Sequence, residues 1–391
     1  MSSEITPAQA LQIQQTFHER QAEIVSLIRR LVEAESPSGD VSGNKAVVEI
    51  LADAAAEARC VTGIERIDAP GVGQHLIIRG FRDQNGSGQI LLVGHMDTVH
   101  PRGSLSKHPW RQEENRIYGP GIFDMKANCA LAIGILHACD DLKVVPNYGL
   151  TLALTCDEEV GSFSGWPLLE KLAQENQTRC TFVLEPPVAG GAIKTGRKGT
   201  GIYSIKVEGR AAHAGLDPEK GASAILELAK QVERLHELNK LGGGINVNVG
   251  IVQGGTRSNV VAAEAFGEID VRFSTAEELR AVEQALLNSK PFDERTRVTI
   301  TGGVNRPPLE RTENVEQLYH LAQRIAASLG FELNEAQVGG ASDGNFLAAM
   351  GIPVLDGLGI DGDGAHAAHE HIIIDDISRR GALLTGLIAS V

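Results

Sequence analysis

Between residues 7 and 33 apolar side chains return at helical spacing, with Ile24, Leu27, Ile28 and Leu31 on one stripe, until the turn sequence SPSGD interrupts them. That spacing predicts a helix over 7–33, and a second over 44–58. The period then shortens. Compact apolar runs at 75–80 and 89–93 predict strands, separated by the turn-rich RDQNGSG. A helix is expected over 126–142, a strand from Gly149 (GLTLALT), a short helical stretch, and a strand TFVLE at 181–185. Strands alternating with helices in this way indicate an α/β sheet covered by helices.

Near Lys198 the pattern changes. A strand GIYSIKVEG, a helix at 218–239, strands INVNVGIV and EAFGEIDVRF, a helix at 276–288 and a strand RVTITG follow in order. That is β-α-β-β-α-β, the ferredoxin-like split arrangement, and at 198–307 it is long enough to be a separate domain inserted into the first. A helix at 313–330 and a strand IPVLDGLG then resume the α/β style to the C-terminus. The expected organisation is one domain from 1–197 and 308–391, interrupted by a second at 198–307. A chain of 391 residues exceeds what one core usually serves, which agrees with two domains.

Charge narrows the partners. The formal net charge of −14 argues against nucleic acid or an anionic membrane surface. The five cysteines are odd in number and form no C-x-x-C pair, which fits buried thiols in a reducing compartment better than a disulfide framework. The opening MSSEITPAQALQIQQ has neither a basic nor an apolar leader region. No run reaches the roughly 18 apolar residues of a membrane span. A soluble, cytoplasmic protein is expected.

Acidic residues and histidines gather where the α/β strands should end. His95 and Asp97 close LLVGHMDTVH; Asp124 sits in the glycine-rich YGPGIFDMKAN; Glu158 and Glu159 follow LTLALTCDEE; Glu185 ends TFVLEPP; His366 lies in GIDGDGAHAAHE. The ligand crevice of an open α/β sheet lies beyond the carboxyl ends of its strands, so one site can collect all of them. Several carboxylates gathered out of bulk water repel one another. Two Zn²⁺ ions resolve this, since imidazole and carboxylate oxygen are ordinary zinc ligands. Asp124, Glu159 and Glu185 with a bridging hydroxide would bring two dications close to neutrality.

These motifs carry a resemblance. GHMDTV, GxxDMK, DEEVGS, LEP and GxGAHxxxE occur here in the order found in the di-zinc metallopeptidases of the glutamate carboxypeptidase, aminoacylase and succinyl-diaminopimelate desuccinylase family. The resemblance spans nearly the whole chain, and HMDTV and EPP suit the glutamate carboxypeptidase branch better than the desuccinylases. It implies a catalytic domain with a central mixed sheet and an inserted lid that dimerises. It implies two zinc ions per subunit, with cobalt or manganese as alternatives. Asp124 would bridge them, His95 and Glu185 completing one site and Glu159 and His366 the other. Asp97 would orient His95, and Glu158 would be the general base. A cis peptide is expected at Asp124–Met125. By the same resemblance His213, in GRAAHAG, reaches across the dimer to the oxyanion. Arg306, in GVNRPP, clamps the substrate carboxylate, and Asn259, in GGTRSNVV, contacts substrate.

Plainer readings stand beside these. His369, His371, His100 and His108 are expected as loop residues, and Cys156 as a small buried side chain rather than a nucleophile. The implied activity is hydrolysis of an amide bond next to a free carboxylate, releasing a C-terminal amino acid such as glutamate from a small peptide or N-acyl conjugate. An N-acyl-amino-acid deacylase is the alternative within the same chemistry. A non-catalytic metal-binding homologue is the alternative of another class. An aminopeptidase fits less well, because no extra acidic residue is placed to hold an α-ammonium group.

Overall fold

The computed structural model describes residues 5–81 and 88–391; apart from Gly88, the RDQNGSG stretch lies outside them. The chain forms two compact units. The first comprises Met1–Thr195, Arg311–Gln337 and Ser342–Val391, the second Gly196–Glu310 with Val338–Ala341.

In the first unit a six-stranded sheet runs in the order Val61–Ala69, Gly73–Gly80, Gly149–Thr155, Gln89–His95, Thr178–Val183, Val354–Leu355. The first two pairings are antiparallel and the remaining three parallel, so the sheet is mixed. Gln89–His95 is buried along its whole length, as its unbroken apolar run requires. Helix Ala127–Leu142 packs against this strand and against Pro7–Glu19, Gln21–Glu33, Val41–Ala56 and Asp376–Ser390. With its preceding turn it is long and apolar enough to cross a membrane, but 89% of that window is buried inside the protein, which makes it a core helix.

Several features depart from the sequence pattern. The helix expected over 7–33 is two, Pro7–Glu19 and Gln21–Glu33, because Arg20 (φ −88°, ψ 0°) leaves helical geometry between them. Strand Val61–Ala69 was not expected; it lies at the sheet edge, half exposed, without a clean apolar alternation. A second, small sheet also joins Gly362–Asp363, His371–Ile373, Arg116–Tyr118 and Arg111–Glu113, all antiparallel. It matters for function, because it binds the segment around His366 to the segment that leads into Asp124.

The second unit holds four antiparallel strands in the order Asn246–Gly254, Glu264–Phe273, Gly199–Glu208, Arg297–Arg306. Helices Ala224–Glu237 and Ala276–Leu287 pack on it around a separate core that includes Tyr203, Ile205, Leu235, Val271 and Phe273. The chain order is β-α-β-β-α-β. The helix expected over 218–239 starts late, since Ser223 caps Leu226 N–H and only a short turn, Pro218–Lys220, precedes it.

Candidate metal centre

Register places the candidate residues together. His95 pairs with Thr155 and Val93 with Val183 across the parallel strands, so all three carboxyl ends finish at one level. His95 is the last residue of its strand, Glu158 and Glu159 stand on a single turn just past Thr155, and Glu185 lies two residues past Val183. Gly94 lets the neighbouring loop close on the strand: a Cβ there would lie 2.6 Å from Met125 Cε.

Asp124 arrives from a wide turn, Ile122–Lys126, that opens the buried helix. Gly121 enters it at φ +68°, where a Cβ would also meet Thr98 Cγ2 at 2.4 Å. The Asp124–Met125 peptide is cis, as the resemblance led us to expect. Opposite this turn stands the loop of His366, whose own φ is +66°.

The Asp124 carboxylate faces two histidines with different oxygens. Oδ1 is 3.1 Å from His95 Nε2, and Oδ2 is 3.3 Å from His366 Nε2. Glu185 Oε1 lies 3.5 Å from His95 Nε2, and Glu159 Oε1 3.4 Å from His366 Nε2. Two trios result, His95–Asp124–Glu185 and Asp124–Glu159–His366, each with ligand atoms within 4.8 Å of one another. His95 is 2% exposed, whereas the His366 side chain is 52% exposed.

This donor set fits a pair of cations. Glu159 Oε1 is buried and accepts no hydrogen bond, which is costly for a carboxylate oxygen unless a positive group faces it. Burial, ahead of the Asp124 charge, pushes the Glu159 carboxyl up to about 7. The hydrogen bond to Asp124 lifts His366 to about 9. Burial opposes the charged form of His95, but hydrogen bonds to Asp124, Asp97 and Glu185 outweigh it and raise the imidazole well above its usual value. A cluster that draws protons onto a carboxylate and two imidazoles is short of positive charge, and divalent cations on the same lone pairs would supply it.

Asp97 does more than expected. His95 Nδ1 donates to the Asp97 backbone carbonyl at 3.0 Å, with carboxylate Oδ1 farther off at 3.5 Å. A carbonyl only accepts, so Nδ1 carries the proton and Nε2 is left to bind a metal. The carboxylate instead accepts the backbone N–H groups of Glu158 and Glu159, at 3.2 Å each, and the Ser38 hydroxyl at 2.6 Å.

Further supports were invisible in the sequence. Cys156 N–H donates to His75 Nδ1 at 3.2 Å, so the His75 proton sits on Nε2 and donates to Ser164 Oγ at 3.0 Å. Ser164 in turn donates to Asp157 at 2.7 Å. Protons here point from histidine to serine to aspartate, opposite to a nucleophilic triad, so the chain braces the loop that carries both glutamates. Burial raises the Cys156 thiol far above its usual value, in keeping with an inert side chain. His100 and His371 are not solvated loop residues. His100 Nε2 lies 2.5 Å from Glu370 Oε2, and His371 is buried in the small sheet, while His369 and His108 stay at loop positions.

In the second unit, His213 and Asn259 share one loop pairing: Ala214 N–H donates to the Asn259 carbonyl at 3.0 Å, and His213 bridges Val260. His213 is exposed, and its Nδ1 accepts Gly215 N–H at 3.2 Å, which leaves the proton on Nε2. Arg306 ends its strand and is buried, with Asn305 Oδ1 at 3.5 Å from Nη1.

Comparison with known proteins yields a family match. Residues 91–390 match the model of the peptidase family M20/M25/M40. Carboxypeptidase G2 of Pseudomonas sp. (strain RS-16) is 31% identical over 386 residues, covering 96% of this chain and 90% of that protein. Succinyl-diaminopimelate desuccinylase of Delftia acidovorans is 28% identical over 377 residues, covering 90% and 94%. Among solved structures, the aminopeptidase PepT of Bacillus cereus superimposes with a TM-score of 0.79 at 21% identity, covering 95% of this chain and 98% of that one.

Proposed function

The chain belongs to the peptidase family M20/M25/M40, and on that premise we propose that this metal-dependent hydrolase cleaves an amide bond next to a free carboxylate. It would release a C-terminal amino acid, glutamate being one candidate, from a small peptide or N-acyl conjugate. The observation that carries the chemistry is the pair of trios sharing Asp124, with Glu158 on the turn beside them. Similarity to carboxypeptidase G2 along 96% of the chain favours cleavage at a C-terminus.

His95, Asp124 and Glu185 would hold one cation, and Asp124, Glu159 and His366 the other. Imidazole and carboxylate donors suit zinc, and cobalt or manganese would also be accepted. Bound there, the pair would polarise the scissile carbonyl and lower the pKa of water at the site. Glu158 takes a proton on its carboxylate as water attacks, and returns it to the leaving nitrogen. Its position is held through its own backbone N–H by Asp97. His213, protonated on Nε2, is built to donate to the developing oxyanion.

Arg306 would clamp the substrate carboxylate with its planar fork, and Asn259 would contact substrate from the loop of His213. We assign the second unit, with its β-α-β-β-α-β order, the role of a ferredoxin-like lid through which two copies form a homodimer, His213 serving the neighbouring copy. Sedimentation tests that arrangement: a strictly monomeric active enzyme would refute it. The substrate test uses zinc-loaded protein and a mixed library of dipeptides and N-acyl amino acids, read by mass spectrometry. One free amino acid released from peptide-like conjugates is expected. Release only from short acyl groups would move the reading to a deacylase, a direction consistent with the similarity to a desuccinylase.

A further inference from the structure

Glu370 has no part in the chemistry above, yet both of its carboxylate oxygens are engaged. It is 2% exposed. Oε1 accepts Phe123 N–H at 2.8 Å and Asp124 N–H at 2.9 Å. Oε2 accepts Gly121 N–H at 2.8 Å and faces His100 Nε2 at 2.5 Å. The main chain joins in, with Gly119 N–H donating to the Glu370 carbonyl at 3.3 Å. Every one of these donors except His100 lies in, or within three residues before, the turn that presents Asp124.

We propose that Glu370 is a positioning residue of the metal centre: its buried carboxylate, steadied by His100, fixes the backbone of the Gly121–Phe123–Asp124 turn and thereby the place of the carboxylate shared by both trios. The proposal rests on the metal-hydrolase reading above. Its geometry is specific. Three N–H groups converge on two oxygens, and such charge-assisted bonds hold a backbone more firmly than neutral ones. Glu370 also lies four residues after His366, so one side chain ties the loop of the exposed histidine to the turn of the bridging aspartate. Because Asp124 serves both trios, a shift of its turn acts on both cation positions at once.

Glu370→Gln is nearly isosteric but replaces one acceptor oxygen by an NH₂ group. Whichever way the amide turns, that donor meets a backbone N–H, and the turn must give way. Zinc affinity, measured by chelator competition, is expected to fall roughly 10–100-fold for both equivalents together. The kcat is expected to fall with KM little changed. A merely structural brace would lower the melting temperature and leave zinc affinity as in the wild type, and that result overturns the proposal. Weakening of a single equivalent overturns it too, since the brace would then serve His366 alone. If Glu370→Gln does not fold, His100→Ala, at a half-buried position, carries the test with a several-fold loss expected for both equivalents and an unchanged affinity overturning it. Wild type and Asp124→Asn separate the two readings. If the wild type binds no zinc, both fall; if it binds two and Asp124→Asn loses both while Glu370→Gln keeps both, only the role of Glu370 falls.

Discussion

Asp97 Oδ1 accepts the backbone N–H of Glu158 at 3.2 Å, and its other oxygen does the same for Glu159. One buried carboxylate thus sets the turn that carries the proposed base and a proposed ligand, while the carbonyl of the same residue fixes the proton of His95. Asp97→Asn places an amide NH₂ against one of those N–H donors. Its kcat should fall about 10–100-fold with folding retained, as for other residues that orient ligands. Glu158→Gln should cost more, about 10²–10⁴-fold in kcat with bound zinc unchanged. Steady-state kinetics with metal analysis checks both, and an unaltered Asp97→Asn enzyme would remove the orienting role.

His213 supports a second prediction. With Nδ1 occupied by Gly215 N–H, its Nε2–H is a donor without needing a second proton. His213→Ala should lower kcat by about 10²–10³-fold, the usual loss for one oxyanion donor, while zinc content stays at the wild-type level. A loss expressed only in KM would instead make it a binding residue.

Arg306 supports a third. It is buried, so Arg306→Lys keeps a cation and most of the volume while removing the planar fork. The kcat/KM for free-acid substrates should fall at least tenfold, and that for C-terminally amidated substrates should stay near wild type. Equal losses on both would reject the carboxylate clamp.

A fourth concerns stability. Asp40 caps helix Val41–Ala56 by accepting Gly43 N–H at 2.9 Å. That bond, then the Ser42 hydroxyl and Arg102, bring its carboxyl from 3.8 down to about 2. A folded value below the unfolded one gives stability that is complete above 3.8 and is lost as pH falls through about 2. Asp40→Ala should therefore cost about 1 kcal/mol at neutral pH, and the difference from wild type should shrink across that acid window. Urea unfolding at several pH values measures it; a pH-independent difference would contradict the cap.

What the sequence disclosed follows from what leaves a local pattern. Strand ends announce themselves, because a buried apolar run must stop where a polar ligand begins; His95, Glu159 and Glu185 were legible for that reason and gather at one site, whereas their division into two trios sharing Asp124 was implied only by the family resemblance. Backbone braces leave no such mark. The motif GxGAHxxxE places Glu370 four residues after His366 but does not reveal its task, which is to accept three N–H groups from a segment about 250 residues away. His100 does lie in a loop, as expected, but it is not solvated there, because its partner is the buried Glu370. The break at Arg20 was hidden because the apolar stripe continues through it, Ala10, Ile13 and Phe17 being buried before it and Ile24, Ile28 and Leu31 after it. Edge strand Val61–Ala69 lacks alternation because much of it faces solvent.

The central claim is that Asp124 is shared between two cation positions, and metal stoichiometry tests it most directly. Zinc bound per chain, determined by elemental analysis after gel filtration, should be two for the wild type, one for His366→Ala and none for Asp124→Asn, all three chains remaining folded. A wild type that binds a single zinc, or an Asp124→Asn chain that still holds one tightly, would contradict a shared carboxylate.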